Sequence, residues 1–153
     1  MKRSQINYAI DKAHAIAETF RVCLPTFAFL TADAWRQQPL AEWSEVLDLQ
    51  LGWDITDFGR GDFSKTGLTL LTLRNGALNS AIYPKPYAEK MLQIQQEQET
   101  PWHFHTHKME DILNRGGGDL CMQLGWATEE ALFDERRTVE VNVDGRRRSF
   151  TVS

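Results

Sequence analysis

The residues best equipped for chemistry lie in one run, Trp102-His103-Phe104-His105-Thr106-His107-Lys108-Met109-Glu110, which holds three of the chain's four histidines. On an extended strand alternate side chains share a face, so His103 and His105 project together with Cβ atoms about 7 Å apart, a span that two imidazoles can close onto one ion. Glu110 follows five residues after His105, and its carboxylate reaches the same ion only where the chain bends; Asn114 and Gly116-Gly117-Gly118 are suited to that bend. His107 is in phase with the other two, yet on an ideal strand it lies about 13 Å from His103, too far for both to hold one metal unless the backbone bulges. Two ring nitrogens and a carboxylate oxygen suit first-row divalent ions such as manganese, iron, cobalt, nickel or zinc. The competing reading is a histidine tandem on an edge strand that takes up zinc adventitiously.

Other groups carry weaker signals. Lys108 is a cation next to the candidate ligands, suited to stabilise charge on a bound oxygen, although a lysine leaving a strand is also an ordinary solvated side chain. Asn114-Arg115 reads equally as part of a site or as turn residues before the glycines. Asp54 and Asp57, three apart among Gly and Thr, read as turn or cap residues before they read as a carboxylate pair. Trp53, Phe58, Phe63 and Trp102 have the shape to stack on a sugar, but in a chain with five tryptophans most aromatic rings serve the core, as do Met91 and Leu92.

The elements that must position these groups fall into two stretches. From Ser4, a candidate N-cap, the residues Ile6, Ala9, Ile10, Ala13, Ile16, Ala17 and Phe20 follow helical spacing and predict an amphipathic helix ending near Arg21. Pro25 stops it, and Thr31 before Ala32-Asp33-Ala34-Trp35 predicts a second cap opening one or two short helices that carry Trp35, Trp43, Val46 and Leu47. After Gly52 the pattern changes to short β-rich segments: Leu68 to Leu73, Tyr87 to Gln95, Pro101 to His107, Leu120 to Trp126, Thr138 to Val143 and Arg148 to Val152. Arg74-Asn75-Gly76 and Asp144-Gly145 are tight-turn signals between them. The fold expected is mostly β, with residues 1–51 a helical N-terminal extension and 52–153 an antiparallel barrel or jelly roll, together one globular unit.

Composition sets bounds on function. The 153 residues are 42% hydrophobic and 25% charged, an ordinary balance for a chain with its own core. A formal net charge of −4 gives no electrostatic footprint for nucleic acid. The one basic run, Arg146-Arg147-Arg148, follows Asp144-Gly145 and reads as a solvated hairpin. Cys23 and Cys121 form no C-x-x-C pair and are read as reduced, buried thiols. The polar N-terminus has no apolar core of a leader, and no run of about 18 apolar residues spans a bilayer, so no membrane partner and a cytoplasmic location are expected.

The spacing His103-x-His105, four residues, Glu110, six residues, Gly117 resembles the first metal-binding motif of the cupin superfamily. That motif usually opens with a glycine where this chain has Glu97, so the turn before the histidines departs from the pattern. More narrowly, Thr100-Pro101-Trp102-His103-Phe104-His105, Lys108-Met109-Glu110-Asp111-Ile112 and Asn114-Arg115-Gly116-Gly117-Gly118 resemble the D-lyxose isomerase family. So do Gly52-Trp53-Asp54-Ile55-Thr56-Asp57-Phe58-Gly59, Arg74-Asn75-Gly76 and Pro86-Tyr87-Ala88-Glu89-Lys90, and the likeness runs over nearly the whole chain.

The resemblance implies a cupin-type double-stranded β-helix with N-terminal α-helices, a manganese-type ion held by His103, His105 and Glu110, and a homodimer. It implies a metal-dependent aldose–ketose isomerase acting on D-lyxose and on D-mannose, with Lys108 and Glu110 in catalytic positions. It also implies a fourth ligand, a histidine of a second motif, and a later catalytic carboxylate. No histidine follows His107 here. The site is therefore expected to be completed by water, by His107 or by a partner chain, or else the sequence is a shortened member with an incomplete barrel. A metal- or sugar-binding cupin without turnover, or an iron-dependent cupin dioxygenase, would use the same ligand triad.

Overall fold

A computed structural model of the chain describes residues 1–105, 108–130, 132–134 and 136–151. The chain divides into two compact units, residues 1–101 and residues 102–153.

The first unit opens with helix α1, Arg3–Thr19. Its N-cap is Lys2, whose backbone N–H donates to Gln5 Oε1 at 2.7 Å, so Ser4, the expected cap, lies inside the first turn. The reach of Gln5 back to the cap settles the start, a longer-range choice than a hydroxyl at the first polar position. Of the predicted apolar stripe, Ala9, Ala13 and Ala17 are buried, the isoleucines are half-buried and Phe20 is exposed at the C-cap. Buried alanines at four-residue spacing bring the helix axis close to its neighbours, because nothing beyond a methyl group separates the backbones. Gln93 Nε2 takes advantage of that approach and donates to Ala13 O at 3.0 Å.

After a 3-10 turn over Thr26–Phe29 come α2, Ala32–Arg36, and α3, Ser44–Asp48, with a second 3-10 turn, Leu40–Trp43, between them. Thr31 is the cap expected for α2, its hydroxyl accepting from Ala34 N at 3.2 Å. Trp35 and Trp43 meet edge to face at 5.2 Å. One carbonyl joins helix to sheet: Ala28 O lies 2.9 Å from His14 Nε2 and accepts from Trp53 Nε1 at 2.8 Å, while the His14 ring stacks on Phe29.

Strands β1, Gly52–Thr56, β2, Leu68–Arg74, and β3, Glu89–Gln93, form an antiparallel sheet in that order. The central strand carries the best-buried side chain, Leu71, at 0% exposure, paired with Trp53 on one side and Met91 on the other. Between β2 and β3 the Arg74-Asn75-Gly76 signal does not make a two-residue turn. It opens a long excursion, residues 75–88, in which Gly76 comes so close to the Lys85 backbone that a Cβ would overlap the carbonyl oxygen. Asn75 Nδ2 donates to Leu49 O at 3.1 Å, and Tyr83 donates its hydroxyl hydrogen to Asp48 at 2.7 Å, so the excursion is tied back to α3. Asp57 is a turn residue, accepting from Gly59 N at 3.0 Å, and Asp54 is exposed on β1. Glu97, standing where the resembling motif has glycine, adopts φ of +59°, the left-handed conformation that glycine takes at least cost. The turn is therefore made without the glycine, and Gln98 fixes it by donating to Phe63 O and accepting from Gln95 N at 3.0 Å.

The second unit contains two hairpins, β4, Trp126–Ala127, with β5, Phe133–Asp134, and β6, Val139–Val143, with β7, Arg146–Phe150. Asp144 and Gly145 both have positive φ, 51° and 75°, the turn that this dipeptide favours, and Arg146 to Arg148 are solvent-exposed as read from the sequence. Residues 101–105 are extended coil and not part of a strand, because no described segment pairs with them; Thr106 and His107 of that expected strand lie outside the described residues. The expected strand from Leu120 likewise reduces to its last residue, Trp126. Among the described residues the strands make one three-stranded and two two-stranded sheets with no closed barrel, which supports a β-rich chain with N-terminal helices. Cys23 and Cys121 are exposed rather than buried: the first lies in the connection before Pro25, the second in coil.

Candidate functional site

Although residues 101–105 are coil, His103 and His105 lie side by side. Their ring centroids are 5.0 Å apart and the rings meet edge to face at 69°. Glu110 Oε2 lies 3.2 Å from His105 Nε2, and its Oε1 accepts from Lys108 Nζ at 2.5 Å. Asn114 and the glycines form a turn: Asn114 Oδ1 accepts from Gly116 N at 3.0 Å, its amide donates to Gly118 O at 2.8 Å, and Gly116 and Gly117 have φ of 136° and 98°; lying after Glu110, this turn is not what brings Glu110 to His105. Asn114 therefore acts as the turn residue of the two readings open for it.

Lys108, by its hydrogen bond and its charge, and His105 by a smaller contribution hold the Glu110 carboxyl below the usual carboxylate range, against a desolvation that raises it. Glu110 is thus an anion at neutral pH, the form that a metal ligand must take. The predicted residues His103, His105, Lys108 and Glu110 are accordingly one cluster; His107 lies outside the described residues. Among the described residues no three His, Cys, Asp or Glu side chains converge tightly enough to enclose an ion. The donor set fits a first-row divalent metal in kind, and the His105–Glu110 contact fits it in place, with His103 beside them as the third group.

Sequence reasoning missed the wall opposite. A cavity of about 740 Å³ is lined by His103, His105, Gly125, Trp126, Thr128 and Glu129, among others, a size within the ordinary range of small-molecule sites, about 300–1,000 Å³. Its floor has no room to spare, since a Cβ on Gly125 would overlap the Phe133 ring, which in turn rests on Trp102 with centroids 4.7 Å apart. The only signal for these residues in the sequence was a tryptophan and paired glutamates next to a short turn, some twenty residues from the histidines. Nothing local ties the two segments together.

The D-lyxose isomerase family model matches residues 1–153. The chain is 44% identical over 151 residues to the D-lyxose/D-mannose isomerase of Escherichia coli O157:H7, covering 99% of this chain and 66% of that one. It is 44% identical over 150 residues to the D-lyxose/D-mannose isomerase of Serratia proteamaculans, covering 97% and 65% respectively. The chain spans about two thirds of the length of these relatives. With the match extending from the first residue to the last, the chain belongs to the D-lyxose isomerase family.

Proposed function

We propose that the chain works as a sugar aldose–ketose isomerase, interconverting D-lyxose with D-xylulose and D-mannose with D-fructose, and that its architecture is a cupin-type β-barrel assembled as a homodimer. The observation that carries this reading is the His103, His105, Lys108 and Glu110 cluster, whose two histidines line a cavity, in a chain of this family. His103, His105 and Glu110 would hold a divalent ion, manganese foremost, with cobalt, zinc, iron or nickel as alternatives. When bound, that ion supplies Lewis acidity toward the sugar's first two oxygens.

The chain's own residues do the rest. Glu110, ionised and hydrogen-bonded to both neighbours, fixes the His105 ring and places Lys108 beside the reacting end of the sugar. Lys108 brings a positive charge to an oxygen on which negative charge develops as a hydrogen moves between C1 and C2. Among the described residues the two hairpins of the second unit pair with no further strand, and such edges favour pairing with a second chain.

A second reading is a metal- or sugar-binding module without turnover. The two separate by assay of the purified chain with manganese on D-lyxose and D-mannose, with elemental analysis alongside. Turnover together with about one ion per chain, lost in His103→Ala and Glu110→Ala, is expected; unchanged metal content in both variants would sink the ligand assignment.

A further inference from the structure

Resting on the sugar-isomerase reading, we infer that Trp126 and Glu129 form the part of the cavity that recognises the sugar's face and hydroxyls, and that they select a neutral sugar over a phosphorylated one. Trp126 keeps 41% of its surface exposed while its orientation is fixed twice, by its Nε1 donating to Thr138 O at 3.1 Å and by the Arg137 guanidinium 3.9 Å from its ring centroid. An exposed indole that is held rigid and lines a cavity is a ready platform for the apolar C–H face of a sugar ring, since little side-chain freedom is lost when it is covered.

Glu129 supplies the polar half. The turn beside it is closed by Thr128, whose backbone N–H donates to Leu132 O at 2.7 Å and whose hydroxyl accepts from Leu132 N at 3.3 Å. The Glu130 carboxyl is held below the usual range first by its own backbone N–H and then by that hydroxyl. Glu129 is left facing the cavity, and among the described residues no cation pairs with it. A carboxylate in this state accepts hydrogen bonds from two vicinal hydroxyls, and its uncompensated charge repels a phosphate.

The test is saturation-transfer NMR titration of D-lyxose, D-mannose and D-mannose 6-phosphate against the purified chain, with turnover of the two neutral sugars measured in parallel. Glu129→Gln, which keeps the size of the side chain, is expected to weaken neutral-sugar binding by about tenfold, the worth of one charge-assisted hydrogen bond, and to narrow the preference over the phosphate. Trp126→Leu is expected to weaken it by about threefold or more, with Trp126→Phe recovering part of the loss. Neutral-sugar affinities equal to wild type in Glu129→Gln and Trp126→Leu would overturn the subsite, as would a wild-type chain that binds no sugar. Wild-type turnover with unchanged affinities leaves the isomerase reading standing alone, whereas weakened variant binding without any wild-type turnover leaves the subsite standing alone.

Discussion

Substituting Gly76 with alanine should destabilise the first unit more than any other single added methyl group among its loops. The new Cβ would overlap Lys85 O and lie 2.7 Å from the Lys85 carbonyl carbon, where ordinary contact begins at 3.4 Å; the carbon alone requires a retreat of about 0.7 Å, and the oxygen requires more. A side chain could swing aside; a backbone carbonyl cannot do so without carrying the loop with it. That loop is held by the Lys85–Glu45 ion pair and by the Tyr83–Asp48 hydrogen bond at 2.7 Å, both of which anchor it to α3. Overpacking of this kind costs about 1–3 kcal/mol, which for a unit of this size lowers the midpoint of thermal unfolding by about 4–20 °C. The assay is circular dichroism melting of Gly76→Ala beside Gly118→Ala, where a Cβ meets no atom within 4 Å. A Gly76→Ala midpoint within about 2 °C of wild type would refute the close approach of residues 76 and 85.

Leu71→Ala empties the best-buried site of the central strand and should cost about 2.7–5 kcal/mol, read as a fall in the urea midpoint at unchanged slope; a loss under about 1 kcal/mol would mean that Leu71 is not at the centre of the core. Asp62 has its carboxyl held below the usual value by the Ser64 hydroxyl, then by the Lys65 and Ser64 backbone N–H groups. A depressed folded-state value means that its contribution is present above the unfolded value and is lost as pH falls through the folded one. Wild type should therefore lose stability more steeply than Asp62→Asn below about pH 4, and parallel acid limbs in urea titrations would contradict the turn geometry.

What the sequence made legible was governed by neighbours along the chain. Thr31 caps α2, Asp144-Gly145 turns the last hairpin and Leu68 to Leu73 becomes the central strand, each because a residue or its near neighbours supply the needed hydrogen bond, φ angle or side-chain packing. The side-chain cluster was legible for the same reason: His103, His105, Lys108 and Glu110 meet within eight residues, even though their backbone is coil where a strand was expected. What failed to show was decided at a distance. Gly76 signals a tight turn, and only the approach of Lys85 turns it into the start of a long loop. Glu97 hides a left-handed residue behind a side chain that gives no hint of it. Trp126 and Glu129 reach the histidines' cavity through tertiary structure alone.

The shared acceptor at Ala28 constrains how the first unit comes apart. A carbonyl oxygen only accepts, so His14 must carry its ring proton on Nε2, and the two lone pairs of that oxygen are both committed, one to α1 and one to β1. Movement of the Thr26–Phe29 turn therefore releases the helix and the strand in the same event. In hydrogen-exchange terms, the Trp53 indole proton and the amides of α1 around His14 should share one opening free energy, marking helix and sheet as a single cooperative block rather than an appendage resting on a scaffold.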